Sequence, residues 1–197
     1  MKRMLIVGAG GHGRSVAEAA LAAGKYELAG FVDDAAPGLQ QVWDLPVFCA
    51  TADLSSCRQY VDVAIVAIGN NRLREELHQK LNAAGFELAT VVHPKAIVSP
   101  RAVVGEGCAI MAGAIVGTEA QLGAGVIVNC GAVVDHHCLV EEFGHLGVNA
   151  GMAGGAVLGR GAWMQAGSVL GYGVSVGGGV VLAPGEAIKK INRNGIQ

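Results

Sequence analysis

Two different hydrophobic patterns follow one another along the chain. The first is made of short apolar runs set between glycine turns and helix-forming stretches. Lys2-Arg3-Met4-Leu5-Ile6-Val7 reads as a strand, Gly8-Ala9-Gly10-Gly11-His12-Gly13 as a tight turn, and the alanine-rich Ser15 to Ala23 as a helix. A second strand, Leu28 to Val32, ends at Asp33-Asp34. Val61 to Ile68 is a near-continuous apolar run suited to a central parallel strand, and it closes on Gly69-Asn70-Asn71 before a helical stretch from Leu73 to Ala84. Strand, turn, helix and strand in this order predict parallel βαβ packing.

The second pattern has a period of six. Val98, Val104, Ile110, Val116, Leu122, Val128, Val134, Val140, Leu146, Met152, Leu158, Met164, Leu170, Val176, Leu182 and Ile188 are all aliphatic, and a small or slim residue follows most of them four positions later. Such a repeat marks a parallel β-helix, each hexad supplying one flat side and a turn with the aliphatic residue pointing inward. Three hexads close one triangular coil, so about five coils fit between Ile97 and Ile188, stacked roughly 4.8 Å apart like neighbouring strands. The expected fold is a Rossmann-like parallel α/β domain over residues 1–92, followed by a left-handed parallel β-helix over 93–197.

Composition agrees with a repeat protein: hydrophobic residues make up 52% of the chain but aromatics only 5%, with 31 glycines among 197 residues. A formal net charge of -2, with scattered lysines and arginines, leaves no basic footprint for nucleic acid. No stretch approaches the roughly 18 apolar residues of a membrane span, and the run Met4 to Val7 is too short for a signal-peptide core. The five cysteines form no CxxC pair and read as buried thiols in a reducing compartment, so the expected location is the cytoplasm.

Candidate chemistry falls in both halves. Gly8, Gly10, Gly11 and Gly13 lie between a strand and a helix, and Asp33 and Asp34 follow about twenty residues on, where a dinucleotide fingerprint places a ribose-binding acid. Glycines there let backbone N–H groups and the positive helix end approach a diphosphate. His12, within that loop, and Asn70, at the end of the apolar run, are further candidate substrate contacts. The motif alone does not separate a nicotinamide cofactor from a sugar nucleotide. His78 and His93 read as structural, and Trp163 as packing. Cys138 occupies the small inward slot of its hexad, where a thiol is inert.

The glycine motif, Asp33-Asp34, the hexad run and the segment Val128-Asn129-Cys130-Gly131-Ala132-Val133-Val134-Asp135-His136-His137-Cys138, with Phe143-Gly144-His145 after it, resemble the hexapeptide-repeat acyltransferases. The resemblance is to the branch with an N-terminal nucleotide-sugar domain, which includes the bacterial N-acetyltransferases of nucleotide-linked 4-amino sugars and the sialic acid O-acetyltransferases. It implies transfer of acetyl from acetyl-CoA to the sugar amine by direct attack, with His136 as general base and no metal. It implies that Asn129 lines the cleft and that His145, Ala153, Gly154 and Ala166 contact acetyl-CoA, the Gly154 N–H holding the thioester oxygen. It also implies a homotrimer with sites between adjacent subunits. Relatives often carry an acidic residue directly after the catalytic histidine, where this chain has His137, so the residue that orients His136 is open between Asp135, Glu142 and a backbone carbonyl. Relatives also tend to close with a Gly-x-Pro-Ala element, where this chain has Ala183-Pro184-Gly185-Glu186.

Three other classes compete. A β-helix zinc carbonic anhydrase would use histidines such as His136, His137 and His145 and predicts stoichiometric zinc. An NAD-dependent oxidoreductase would leave the β-helix without a task, and a non-catalytic scaffold predicts no acetyl-CoA affinity. Within the resemblance itself, O-acetylation of sialic acid is the alternative to N-acetylation.

Overall fold

The computed structural model describes residues 1–189. In its N-terminal part, β1 (Lys2–Val7), β2 (Tyr26–Val32), β5 (Val63–Val66) and β6 (Glu87–Leu88) form a parallel sheet of order β2-β1-β5-β6. A small hairpin, β3 (Gln41–Val42) and β4 (Leu45–Pro46), and a 3₁₀ turn over Thr51–Gln59 fill the connection before β5. The outer two residues at each end of the Val61–Ile68 run fall outside β5 because β1 offers pairing only from Met4 to Val7.

The two helices start earlier than their side chains suggest. α1 (Gly11–Ala23) begins inside the glycine motif, ahead of Ser15, and closes on Gly24 with φ 64°, whose N–H reaches the carbonyls of Ala20 and Leu21. α2 (Asn71–Ala83) begins ahead of Leu73 because the Asn70 side chain accepts a hydrogen bond from the Leu73 N–H at 3.0 Å, satisfying one of the donors that a helix start leaves free.

The hexads form three flat parallel sheets of six, six and five strands. The first face opens with Val91–Val92, the second with Ile97–Val98 and the third with Val103–Val104. Val91–Val92 already pairs with Ala109–Ile110. Each strand pairs with those eighteen residues before and after it, as Ile127 does with Ala109 and His145. The sixteen periodic aliphatic residues all lie in one core or pack against it, together with the small inward residues Cys108, Ala114, Ala132 and Cys138. The whole is a Rossmann-like unit followed by a left-handed β-helix of about 5 turns.

The N-terminal sheet and helices rest on the first face: Ala109, Met111 and Ile127 share a core with Met4, Ile6 and Val16. At the corner between the third and first faces the contact is polar. The Asn71 Nδ2 donates to the Gly161 carbonyl at 2.8 Å. The buried Arg74 guanidinium donates to the carbonyls of Gly125 at 2.8 Å, Phe143 at 2.6 Å and Ile68 at 3.1 Å. The corner between the second and third faces, which carries Asp135 to Cys138, is therefore the one away from the N-terminal domain. Among the described residues no helix is long and apolar enough to cross a membrane.

Candidate active site

The glycine loop, with His12, forms one wall of a pocket of about 350 Å³ whose other walls are Asp33, Asp34, Thr51, Ala67, Ile68, Gly69 and Leu73. Its glycines divide by cause. A Cβ on Gly8 would strike the Ala67 carbonyl and one on Gly13 the Gly8 carbonyl, so these two are fixed by how tightly α1 packs on the sheet. Gly10 and Gly11 have open space where a Cβ would stand. The start of α1 carries neither a side-chain cap nor an acidic residue in its first turn, which leaves its N–H groups for an anion. The two acids mould the walls. Asp33 accepts from the Ala9 N–H at 2.7 Å and the Ala35 N–H at 2.9 Å, while Asp34 accepts from the Thr51 N–H at 2.8 Å and hydroxyl at 2.7 Å. The Thr51 hydrogen bonds hold the Asp34 carboxyl below its ordinary pKa. Asn70 is occupied as the cap of α2 and lies outside the pocket lining.

His145 projects from the first face towards this region. Its ring stacks on Trp163 at 5.5 Å and stands 6.4 Å from that of His12. Both His145 nitrogens and the His12 Nε2 are buried and have no hydrogen-bond partner among the described residues. Burial, reinforced by the Arg74 charge, depresses the pKa of His12 to about 4 and that of His145 to about 3. Both are thus neutral at pH 7. In the unfolded chain they titrate near the ordinary value of about 6.5. Between that value and pH 4 the unfolded chain binds more protons than the folded one, so stability is expected to fall as the pH drops through this window. His78, depressed by burial, acts in the same direction, whereas Asp34 contributes only below the ordinary carboxylate range. A thermal midpoint unchanged from pH 7 to 4.5 would contradict the burial of these rings.

His136 sits on the opposite corner. Its ring is pressed against the backbone of Gly154, one coil on, where any Cβ would collide with Cε1 and Nε2. Tyr172, a further coil on, places its ring 6.3 Å away. Asp135 Oδ1 accepts from the His136 N–H at 2.7 Å, and its other oxygen lies 3.8 Å from His136 Nε2. His136 Nδ1 meets His137 Nδ1 at 2.9 Å, and His137 Nε2 meets Glu119 Oε2 at 2.8 Å. Glu142 does not belong here. Six residues on from His136, it occupies the next corner, where its carboxylate pairs with Arg160 at 2.8 Å. The sequence-based candidacy of Glu142 for orienting His136 is corrected accordingly, and nothing in the hexad pattern had named His137 and Glu119 instead.

The other expected acetyl-CoA contacts flank the second face. Ala153 borders an apolar pocket of about 340 Å³ with Val169, Leu170 and Ile188. Asn129 and Ala166 lie on the corner between the first and second faces, Asn129 Oδ1 accepting from the Cys130 N–H at 2.8 Å. Cys138 is buried, and burial raises its pKa. His78 is buried edge-on to Phe143, and His93 accepts from the Lys95 N–H at 3.0 Å. Among the described residues no group of three or more His, Cys, Asp or Glu side chains converges on a point suited to a metal ion.

A Rossmann-like unit seated on a hexad β-helix, with an exposed histidine over a glycine backbone, is the architecture of a hexapeptide-repeat acyltransferase. Residues 3–81 match the model of the PglD N-terminal domain. The chain is similar to UDP-N-acetylbacillosamine N-acetyltransferase of Bacillus subtilis, with 37% identity over 115 residues. That match takes in 57% of this chain and 52% of the relative, so the chain spans about half the length of the curated relative it matches. Among solved structures it is similar to the acetyltransferase domain of PglB from Neisseria gonorrhoeae in complex with acetyl coenzyme A. Identity there is 37%, coverage 95% of this chain and 93% of that one, and the TM-score 0.88. It is also similar to PerB of Caulobacter crescentus in complex with CoA and GDP-perosamine, at 35% identity, 95% and 89% coverage and a TM-score of 0.90. Variants of that perosamine N-acetyltransferase with one histidine changed to asparagine or alanine have been solved with the same two ligands. The chain belongs to the family of these hexapeptide-repeat acetyltransferases.

Proposed function

We propose that this protein transfers the acetyl group of acetyl-CoA to the amine of a nucleotide-linked 4-amino sugar, in the cytoplasm. The observation that carries the reading is the His136 ring lying against the Gly154 backbone, one coil apart on an exposed corner. A thioester is already activated, so the reaction needs only a base for the attacking amine and a donor for the developing oxyanion. His136 takes the amine proton on Nε2 as nitrogen attacks the acetyl carbonyl. The Gly154 N–H holds the tetrahedral oxygen, and CoA leaves as thiolate. Asp135, 3.8 Å from Nε2, favours the imidazolium that forms. Gly10, Gly11 and the start of α1 bind the sugar diphosphate, Asp33 and Asp34 shape the nucleoside end of the pocket, and His12 stands in its wall as a neutral imidazole with His145 behind it.

Within one chain the pocket and His136 lie on opposite sides of the β-helix. We propose a homotrimer in which His136 of one subunit faces the pocket of the next, with Asn129, Ala153 and Ala166 lining the acetyl-CoA cleft between β-helices. The second face suits such pairing, since its outward residues Ile97, Ile115 and Val169 are apolar and exposed in the single chain. The test is thiol release from acetyl-CoA against UDP-, GDP- and dTDP-linked 4-amino sugars, with free sialic acid alongside. Release with one amino sugar is expected. Release with sialic acid alone would move the acceptor to oxygen, and silence across the panel would remove the transferase reading.

A further inference from the structure

One position of each hexad, and so every corner of the β-helix, adopts left-handed backbone geometry. From Gly107 to Gly185 that position is glycine except at Glu119, His137, Phe143 and Asn149, which hold φ between 55° and 58°. A side chain in this conformation costs on the order of 1 kcal/mol or more. Phe143 offsets that cost by burial against His78 and Arg160. Glu119 and His137 have no such compensation, because their side chains are 56% and 60% exposed and an exposed ion pair stabilises a fold little. They stand one coil apart in one column, and their contact ends on His136.

We propose that His137 and Glu119 are positioning residues that fix the tautomer of His136, a proposal that rests on His136 being the general base. The Glu119 carboxylate only accepts, so the His137 nitrogen 2.8 Å from it, Nε2, carries a proton. In neutral His137 this leaves a lone pair on Nδ1, which accepts from His136 Nδ1–H at 2.9 Å. His136 then has its own lone pair on Nε2, the atom beside Gly154 that receives the amine proton. With the opposite polarity Nε2 would already be protonated, and the base would be blocked. The chain thus does through a second imidazole and the coil below what a carboxylate next to the base does directly. No proton moves along it during turnover; it sets the starting state and steadies the imidazolium.

The test starts from Glu119→Gly, which installs the residue this corner otherwise uses and so leaves folding intact or improved. Its kcat is expected to fall about 10- to 100-fold, in the range found when a group orienting a functional histidine is lost, with KM for acetyl-CoA unchanged. Adding His137→Asp, whose Oδ1 falls near the place of the imidazole Nδ1 and which tolerates left-handed geometry, is expected to restore kcat. In ¹⁵N-histidine spectra the protonated Nδ1 of His136 is expected to be lost with Glu119→Gly and recovered in the double variant. An unaltered kcat in Glu119→Gly, or a loss that His137→Asp does not repair, would overturn the positioning chain while leaving the base assignment standing. His136→Ala, assayed in parallel, decides that assignment separately.

Discussion

Replacing His136 with alanine is expected to lower kcat by about 10³-fold, within the range that a positioned general base contributes, while the affinity for acetyl-CoA stays as it is. The two effects separate because, in the proposed mechanism, His136 meets the reacting atoms from the exposed corner, and it holds up nothing in the fold. Its side chain is 42% exposed, and the core beneath it is made by Val134 and Cys138. The missing ring also leaves the Gly154 backbone and its N–H in place, so the oxyanion donor survives and some residual rate remains. Asparagine is the complementary substitution, since it keeps a polar group at the corner but cannot accept the amine proton at neutral pH. Isothermal titration with acetyl-CoA and steady-state thiol release on the same preparations give the two numbers. A variant that keeps its rate would exclude His136 as the base, and one that loses acetyl-CoA affinity in parallel would make it a binding group.

The β-helix was legible residue by residue because one face of each hexad must fill a core with no room for error: a polar residue at Val134 or Leu158 would be buried without a partner. The same arithmetic placed Gly154 one coil above His136. What the aliphatic period did not carry was the backbone of the corners. The signal was present in the sequence as a second period of glycine, three residues after each aliphatic position from Val104 to Leu182, and its interruptions at Glu119, His137, Phe143 and Asn149 mark where side chains are held at a conformational cost. Read as a second pattern, those interruptions would have favoured His137 over Glu142 as the neighbour of the base. That the glycines and acids of the first half line one pocket was legible, though not the split between glycines with open space beside them and glycines fixed by packing. That distinction depends on which backbone comes close, as the Ala67 carbonyl does to Gly8. Arg74 was invisible for a different reason. Its position within α2 gives no sign that two of the carbonyls it satisfies lie far off in the β-helix, and an arginine in a polar helix reads as solvated.

Arg74 should accordingly be the residue whose loss costs most in stability. It is 1% exposed, burial pulls its pKa down to about 10, and among the described residues it has no carboxylate partner; its hydrogen bonds run to main-chain oxygens of Ile68, Gly125 and Phe143. Two of these belong to the β-helix and one to the end of the strand run that leads into α2, so the guanidinium ties the two halves together at the corner between the third and first faces. Methionine fills similar volume but donates nothing, and the Gly125 and Phe143 carbonyls would stay buried and unpaired at about 1–3 kcal/mol each. Relief from burying a charge offsets part of this, so Arg74→Met is expected to lose about 3 kcal/mol in urea unfolding. Lysine keeps the charge but not the planar fork that reaches several carbonyls at once, so Arg74→Lys is expected to fall between the two. The loss should also show as a change of cooperativity. The unaltered protein is expected to unfold in one transition and the methionine variant in two, the N-terminal unit first, because its remaining apolar contact through Ala109, Met111 and Ile127 is small beside the continuous β-helix core. A methionine variant that unfolds in one transition at the original urea midpoint would show that the apolar contact and the Asn71 hydrogen bond suffice to join the two halves, and Arg74 would then be a tolerated buried charge and not the joint.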